Sequence, residues 1–468
     1  MIIDMEEEQK GLDFGGGNIP SLFRILFFPT LAAMVFDALF VIVDGIFVGH
    51  GVGPLGIAAI SIVSPLFAIV SGTGLMFGIG ASVLASISLS QKHHAEANVT
   101  ITQAFTVGTL LMVIIALLCF LFTGDVVEFL GCSESLKNNC IDYLHWLLPG
   151  IVFLMFQYIG MMLIRLDGSP KYAMFCNVIP GLLNVFLDWL FIFPLGLGIK
   201  GAAMATSVSC VFGGLMALFY FLRLSEILNF VRLKMTTDWV VDAMRHSGAI
   251  IKIGFATLLT ELAMSVMVFT ANHMFIKMLG DNGVAAFSIA CYLFPFFFSV
   301  NNSVSEAIQP IISFNYGAGK MDRVKKAFRT ALIAAAICGG IEVVSIAGGA
   351  KYLVMMFLDP GTEAFELACA GLPKFAMCGI FFALNIAFIG YYQAMKQAGK
   401  ATFFTLLRGM IFVVPCLLLL PEIIGIPGLW LAIPVSELLT LVIIVSNRTL
   451  RPASAPIPRG GGSTDHPG

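Results

Sequence analysis

Seven carboxylates stand inside long apolar runs of this sequence: Asp37, Asp44, Asp188, Glu261, Glu306, Glu342 and Glu437. An ionisable side chain in such a run costs roughly 2.5–3.5 kcal/mol on insertion scales, so it faces a wet cavity or a partner. Basic residues are scarce in the same runs, with Arg408 placed near one end of its run. An acidic interior favours cations: an organic substrate, sodium or a proton. Anionic cargo would call for arginine or lysine in those places.

Spacing sharpens this. Asp44 stands six residues before His50, taken as the outer end of the first run, and Asp188 stands about nine residues before Gly198 in an outer loop. Thr206 lies five residues beyond Gly201, going inward again. At ~1.5 Å per helical residue, all three sit roughly 8–14 Å below the outer surface. Asn184 is one helical turn from Asp188 and on the same face. Oxygen-bearing side chains of this kind hold hard cations such as sodium, or one carboxylate takes a proton. Asp37 precedes Asp44 by about two turns and is a second candidate, for cargo or for a proton. Glu261 is a candidate for the same roles. Glu306, Glu342 and Glu437 read as structural or as helix-end contacts.

The elements that position these residues are membrane helices. Hydrophobic residues make up 58% of the 468-residue chain and charged residues 12%, against about half and a quarter in soluble domains. Roughly 20 apolar residues cross the hydrocarbon core, and twelve such stretches are predicted: 20–48, 55–89, 99–122, 141–164, 173–196, 201–222, 250–278, 285–314, 327–349, 367–392, 402–421 and 428–447. The second, seventh and eighth exceed a straight crossing and predict tilt or bending. Pro29 in the first span removes a backbone hydrogen bond and is a hinge candidate.

The chain also repeats itself. Gly56-Ile57-Ala58-Ala59-Ile60-Ser61-Ile62 returns as Gly283-Val284-Ala285-Ala286-Phe287-Ser288-Ile289, and the same interval links Gly198-Ile199-Lys200-Gly201 to Gly425-Ile426-Pro427-Gly428. Internal duplication with binding between the repeats is a recurring plan for secondary transporters. Each half has six spans, an even number, so the halves enter the membrane in the same direction and are parallel repeats. The domain organisation expected is a short segment 1–19, a first lobe 20–222, a linker 223–249, a second lobe 250–447 and a disordered Pro/Gly/Ser-rich tail 448–468.

Lysine and arginine crowd the even loops and both ends, including Lys92, Arg165, Lys171, Arg223, Arg232, Lys320, Arg323, Lys325 and Arg448. Odd loops and their flanks offer only Lys137, Lys200, Lys277, Lys351 and Lys374. The positive-inside rule then puts both termini in the cytoplasm. The first 19 residues lack the basic start and cleavage site of a signal peptide.

The run Ile42-Val43-Asp44-Gly45-Ile46-Phe47-Val48-Gly49, the pair Asn184 and Asp188, the run Gly201-Ala202-Ala203-Met204-Ala205-Thr206, and the stretch from Glu306 through Gln309, Pro310 and Asn315 to Gly319 occur in this order. Together they resemble the MATE family of multidrug and toxic-compound exporters, over about 20–447. The resemblance implies an all-α, V-shaped pair of six-helix lobes in a bacterial cytoplasmic membrane. It further implies cation-driven antiport of organic, cationic drugs. Matching positions of the sodium-binding branches give Asp44, Asn184, Asp188 and Thr206 as the cation site. Another branch uses acids of the second lobe; Glu261 fits it, but Asn385 stands where that branch has a carboxylate, which shifts the expectation to the first lobe.

No nucleophile–base arrangement, phosphate-cradling glycine loop or metal-ligand spacing is visible, which argues against an enzyme and against a cofactor. No basic stripe supports nucleic-acid binding. With two lobes in one chain, no protein partner is required and a monomer is expected. Cys132 and Cys140 flank an outer loop where oxidation is feasible. The alternative function is a flippase for lipid-linked precursors, whose anionic pyrophosphate would want basic residues in the central spans.

Overall fold

The computed structural model describes residues 12–132, 134, 136–232 and 237–447. The first eleven residues, part of the expected 223–249 linker and the tail from 448 onward lie outside the described residues. What is described is helical almost throughout. The first half holds α1 (Ile19–Gly51), α2 (Pro54–Ser90), α3 (His94–Leu121), the short α4 (Thr123–Phe129), α5 (Lys137–Leu166), α6 (Pro170–Ile192) and α7 (Gly198–Phe219). The second holds α8 (Thr237–Gly317), α9 (Met321–Met355), α10 (Glu363–Ala376), α11 (Cys378–Ala394), α12 (Ala398–Leu406), α13 (Val413–Ile424) and α14 (Ile426–Ser446).

Among the described residues, eleven helical segments are long and apolar enough to cross a membrane. One of them, Arg245–Gly317, crosses twice. Gly280 breaks it with φ 61° and ψ −154°, and the rings of Phe275 and Phe287 on either side stack 4.5 Å apart. Twelve residues of straight helix would separate them by about 18 Å, so the chain folds back at Gly280 and the crossings number twelve. The duplication is written in the backbone as well. Gly280 matches Gly53 (φ 89°), and Gly425 (φ 68°) matches Gly198 (φ 57°), so the two halves turn at corresponding glycines that adopt a conformation side chains disfavour.

Local chemistry explains several boundaries. Asn18 caps α1 by accepting from Ser21 N–H at 3.2 Å, with Pro20 in the first turn. Thr362 caps α10 in the same way. Inside the spans, hydroxyls return to the carbonyl one turn back, as Thr30 does to Leu26 at 2.8 Å and Thr260 to Ala256 at 2.9 Å, which satisfies them where no water is available. The eleventh span is interrupted by a π-helical segment at Leu407–Ile411. Pro415 stands four residues beyond its end, where the ring collides with the Ile411 carbonyl and forces a wider turn. A second π segment, Tyr220–Leu224, closes α7. It is pinned by the buried Asp167, which accepts from Tyr220 O–H at 2.7 Å and from the N–H groups of Glu226, Ile227 and Leu228 at 2.8–3.1 Å.

Among the described residues, the lobes share a buried core at one face. With an even number of crossings, α1 begins and α14 ends on the same side, here called the termini face. One buried cluster runs through the first lobe and continues into the termini end of the second, taking in Ile250, Ala256, Val304, Ile311 and Tyr392. The far end of the second lobe has a core of its own, around Phe275, Phe287, Phe375 and Trp430. The far tip of the first lobe holds a small separate cluster of Val48, Ile192 and Ala202. Where the lobes join, α2 and α8 touch backbone to backbone: a methyl added at Gly254 would meet the Met76 carbonyl oxygen at 1.9 Å, and one at Gly80 would meet that of Ile250 at 2.1 Å. Ser86 donates to the Pro310 carbonyl and Gln91 to that of Gly317, both at 3.4 Å. Residues 12–18 strap across this face: Arg323 donates to the Phe14 and Gly17 carbonyls at 3.1 and 2.7 Å, and Lys320 to that of Gly15 at 2.8 Å. Large apolar side chains such as Phe269, Val344 and Ile423 stand about three-quarters exposed on the outside, as a lipid-facing surface requires.

Candidate functional site

The acids singled out from sequence fall into two groups. In the first lobe, α6 packs against both α1 and α7. The Asp44 and Asp188 carboxyls come within hydrogen-bonding reach of each other. Asp188 is fully buried, and both of its oxygens, with Oδ1 of Asp44, are buried without a hydrogen-bond partner among the described residues. A buried carboxylate that accepts nothing is costly, and two side by side repel. One turn away from Asp188, Asn184 donates to Thr206 Oγ1 at 3.5 Å, and Thr206 donates to the Ala202 carbonyl at 3.1 Å. Asn184 and Thr206 thus meet across the α6–α7 contact. Among the described residues, no three His, Cys, Asp or Glu side chains converge as a multidentate metal centre. Two carboxylates with neutral oxygens suit a hard, singly charged ion.

Tyr143 of α5 was not among the sequence candidates, yet it is buried within electrostatic range of both Asp44 and Asp188. Nothing in its spacing distinguishes it from a packing tyrosine; only the folded α5 brings it there.

The second group lies between the lobes. Asp37 is exposed and, like Glu306, lies within electrostatic range of Glu261 of α8. Tyr158 of α5 lies within electrostatic range of all three. Asp37 thus joins this group although it shares a helix and a side with Asp44, because seven residues carry it about 10 Å along the axis. Glu261 and Glu306 line a narrow cleft, with a cavity of about 30 Å³, together with Leu75, Phe298, Asn302 and Gln393. The cleft stops at the termini face, where the lobes close.

Two arginines revise the picture of an interior without basic groups. Arg165, counted from sequence with the loop cations, is buried at the end of α5, with Nη1 2.5 Å from Glu306 Oε2 across the lobe boundary. Arg408, expected near the membrane edge, is buried in the second lobe with Nε 2.7 Å from Glu437 Oε1 and its guanidinium 4.1 Å from the centre of the Phe382 ring. Asn385 donates to Glu437 Oε2 at 2.8 Å. Asn385 therefore belongs to the Arg408–Glu437 network, and Glu261 to the cleft. Glu342 accepts from Asn301 at 3.0 Å. Cys132 and Cys140 face each other as thiols with sulfurs 3.3 Å apart.

The MatE family profile matches residues 29–190 and 256–418, one match in each half. The multidrug export protein MepA of Staphylococcus saprophyticus is 25% identical over 86% of this chain and 88% of its own length. Its namesake in Staphylococcus aureus strain N315 is 24% identical over 87% and 89%. Among solved structures, an outward-facing multidrug resistance MATE family transporter of the MOP superfamily superposes with a TM-score of 0.86 at 21% identity, over 93% of this chain and 96% of that one. A MOP superfamily transporter from Pyrococcus furiosus, described as having a binding pocket of reverse polarity, superposes with a TM-score of 0.85 at 20% identity over the same shares.

Proposed function

The chain belongs to the MatE family, and from that premise we propose that it exports organic cations from the cell in exchange for an inward-moving sodium ion or proton. Asp44 and Asp188 take the ion, with Asn184 and Thr206 supplying neutral oxygens. The interlobe cleft, with Glu261 and Glu306 on its walls, takes the cargo, and Asp37 adds negative charge nearby. The observation that carries this reading is the set of three buried carboxyl oxygens, both of Asp188 and one of Asp44, without a donor among the described residues, set apart from a second acidic group in the cleft. One site for the driving ion and another for the cargo is what exchange needs.

Both chain ends lie in the cytoplasm on this reading, and the membrane is the bacterial cytoplasmic one. The lobes pack together on the termini face and carry separate cores at the other, the arrangement of a transporter open to the outside. An ion that binds this state with a different affinity from the inward-open one shifts the balance between them. Pro29, inside α1, is the proposed hinge through which α1 answers the ion. Two six-helix lobes in one chain suffice for this motion, so a monomer is the proposed working unit. A flippase for anionic lipid-linked precursors fits less well, because both buried arginines are engaged by glutamates.

The test is efflux of ethidium from proteoliposomes under separately imposed sodium and proton gradients. One gradient alone should drive uphill movement, and Asp44→Asn should abolish that drive while leaving downhill equilibration. Undiminished ion-driven efflux by Asp44→Asn would remove the residue from the coupling role.

A further inference from the structure

Arg165 and Glu306 form an ion pair that joins the two lobes inside the protein. Arg165 is 2% exposed and Glu306 7%. Glu306 also lines the cleft beside Glu261. The pair is incomplete: only Nη1 reaches the carboxylate, Nη2 is buried with no partner among the described residues, and the other neighbour of Nη1 is the Met162 sulfur at 3.5 Å. A guanidinium has five N–H donors and matches a carboxylate best through two of them. A buried pair made through one contact does not fully offset the desolvation of both charges. Such a contact holds the lobes together yet stands ready to part.

We propose that Arg165 is a tethered substitute for the cargo cation: it occupies Glu306 while the termini face is closed and leaves it when that face opens. When the lobes separate on that face, the first lobe carries Arg165 away. Glu306 and Glu261 are then two unpaired carboxylates on the wall of a cleft that faces the source of cargo. An organic cation binds there because a buried acid without a counter-ion favours any positive charge that can reach it. When the lobes close again, Arg165 returns to Glu306 and displaces the cargo toward the far side. The protein's own arginine and its cargo compete for one carboxylate, which gives high affinity on one side and low affinity on the other. This inference rests on the export of organic cations proposed above and assigns the site of exchange.

The experiment places nitroxide labels, carried on genetically encoded keto amino acids, at the exposed positions Lys92 and Asp322 of the two lobes. Their separation is measured by pulsed electron paramagnetic resonance in nanodiscs, alongside ethidium binding by anisotropy. Arg165→Met should shift the 92–322 distances toward longer values and tighten ethidium binding by about tenfold or more, the factor that 1.4 kcal/mol represents. Glu306→Gln should lengthen the same distances but weaken ethidium binding. The exchange of the two residues, Arg165→Glu with Glu306→Arg, should restore the short distance and leave ethidium bound more weakly than in the unaltered protein. Opposite effects of the two single changes on binding, with the same effect on distance, are not expected of a merely structural pair. Unchanged distances in both single variants would overturn the latch, and equal loss of binding in both would overturn the competition. If Arg165→Met does not fold, Arg165→Gln and Glu306→Gln carry the same comparison. Failure of the unaltered protein to bind ethidium would sink the organic-cation reading and the competition with it, while the distances would still decide the latch.

Discussion

Replacing Asp188 by asparagine should have opposite effects on stability and on transport. Asp188 is fully buried, faces Asp44, and finds no donor among the described residues. Two unit charges 4 Å apart repel by about 4 kcal/mol at an effective dielectric constant of 20. Asparagine removes that repulsion and can donate an N–H to Asp44, so the ion-free protein should gain on the order of 1–4 kcal/mol. The unaltered protein gains its stability from the ion instead, by about 2.7 kcal/mol at a concentration one hundred times the dissociation constant. The assay is thermal unfolding in detergent across a sodium series at fixed ionic strength, with potassium or choline as the replacement, repeated at two pH values. The unaltered protein should unfold at higher temperature as sodium rises, or as pH falls if the ion is a proton. Asp188→Asn should start higher and respond to neither. A variant that starts lower and keeps the full ion response would refute the reasoning, because the carboxyls would then not be the seat of an uncompensated charge.

Two other changes probe the frame around these sites. Arg408→Met strands the Glu437 carboxylate in the second lobe and should cost about 3–5 kcal/mol in unfolding, most of it recovered by adding Glu437→Gln, since the expense is that of the unpaired charge. Gly254→Ala adds a methyl 1.9 Å from a backbone oxygen of α2, which cannot swing aside. It should disfavour the closed termini face by about 1–3 kcal/mol and lengthen the 92–322 separation without touching any charged group; an unchanged distance would mean that the α2–α8 contact is not a closing contact.

The helical crossings were legible because a lipid-spanning segment must be apolar over a fixed length, a constraint strong enough to survive any packing. The reversal at Gly280 was legible from the repeat, which places a second copy of the Gly53 corner there. The breaks within the tenth and eleventh spans were not read. The one in the eleventh span depends on how the Pro415 ring meets one carbonyl inside a run that is apolar from end to end. Of the first-lobe oxygens, the one-turn spacing of Asn184 and Asp188 and their depth could be counted along the chain. That Asp188 is wholly enclosed and that Tyr143 stands beside it follow from the packing of α5 and α6, which no spacing encodes. Arg165 was misplaced for a related reason: it sits where a chain end of a helix meets a loop, and only the approach of the other lobe turns that rim position into an interior one.

The first helix links the two acidic groups. Asp37 and Asp44 lie about 10 Å apart along α1, one within electrostatic range of Glu261 of the other lobe and the other near Asp188 within its own lobe. The same helix packs against α8 of the second lobe, and Pro29 precedes the two acids. A rigid rod so placed cannot change its contact with Asp188 without also changing what Asp37 meets in the cleft. Ion and cargo need not touch for one to sense the other. On the proposed reading the coupling runs through displacement of α1, and a bulky cargo and a small ion can exchange without competing for the same oxygen atoms.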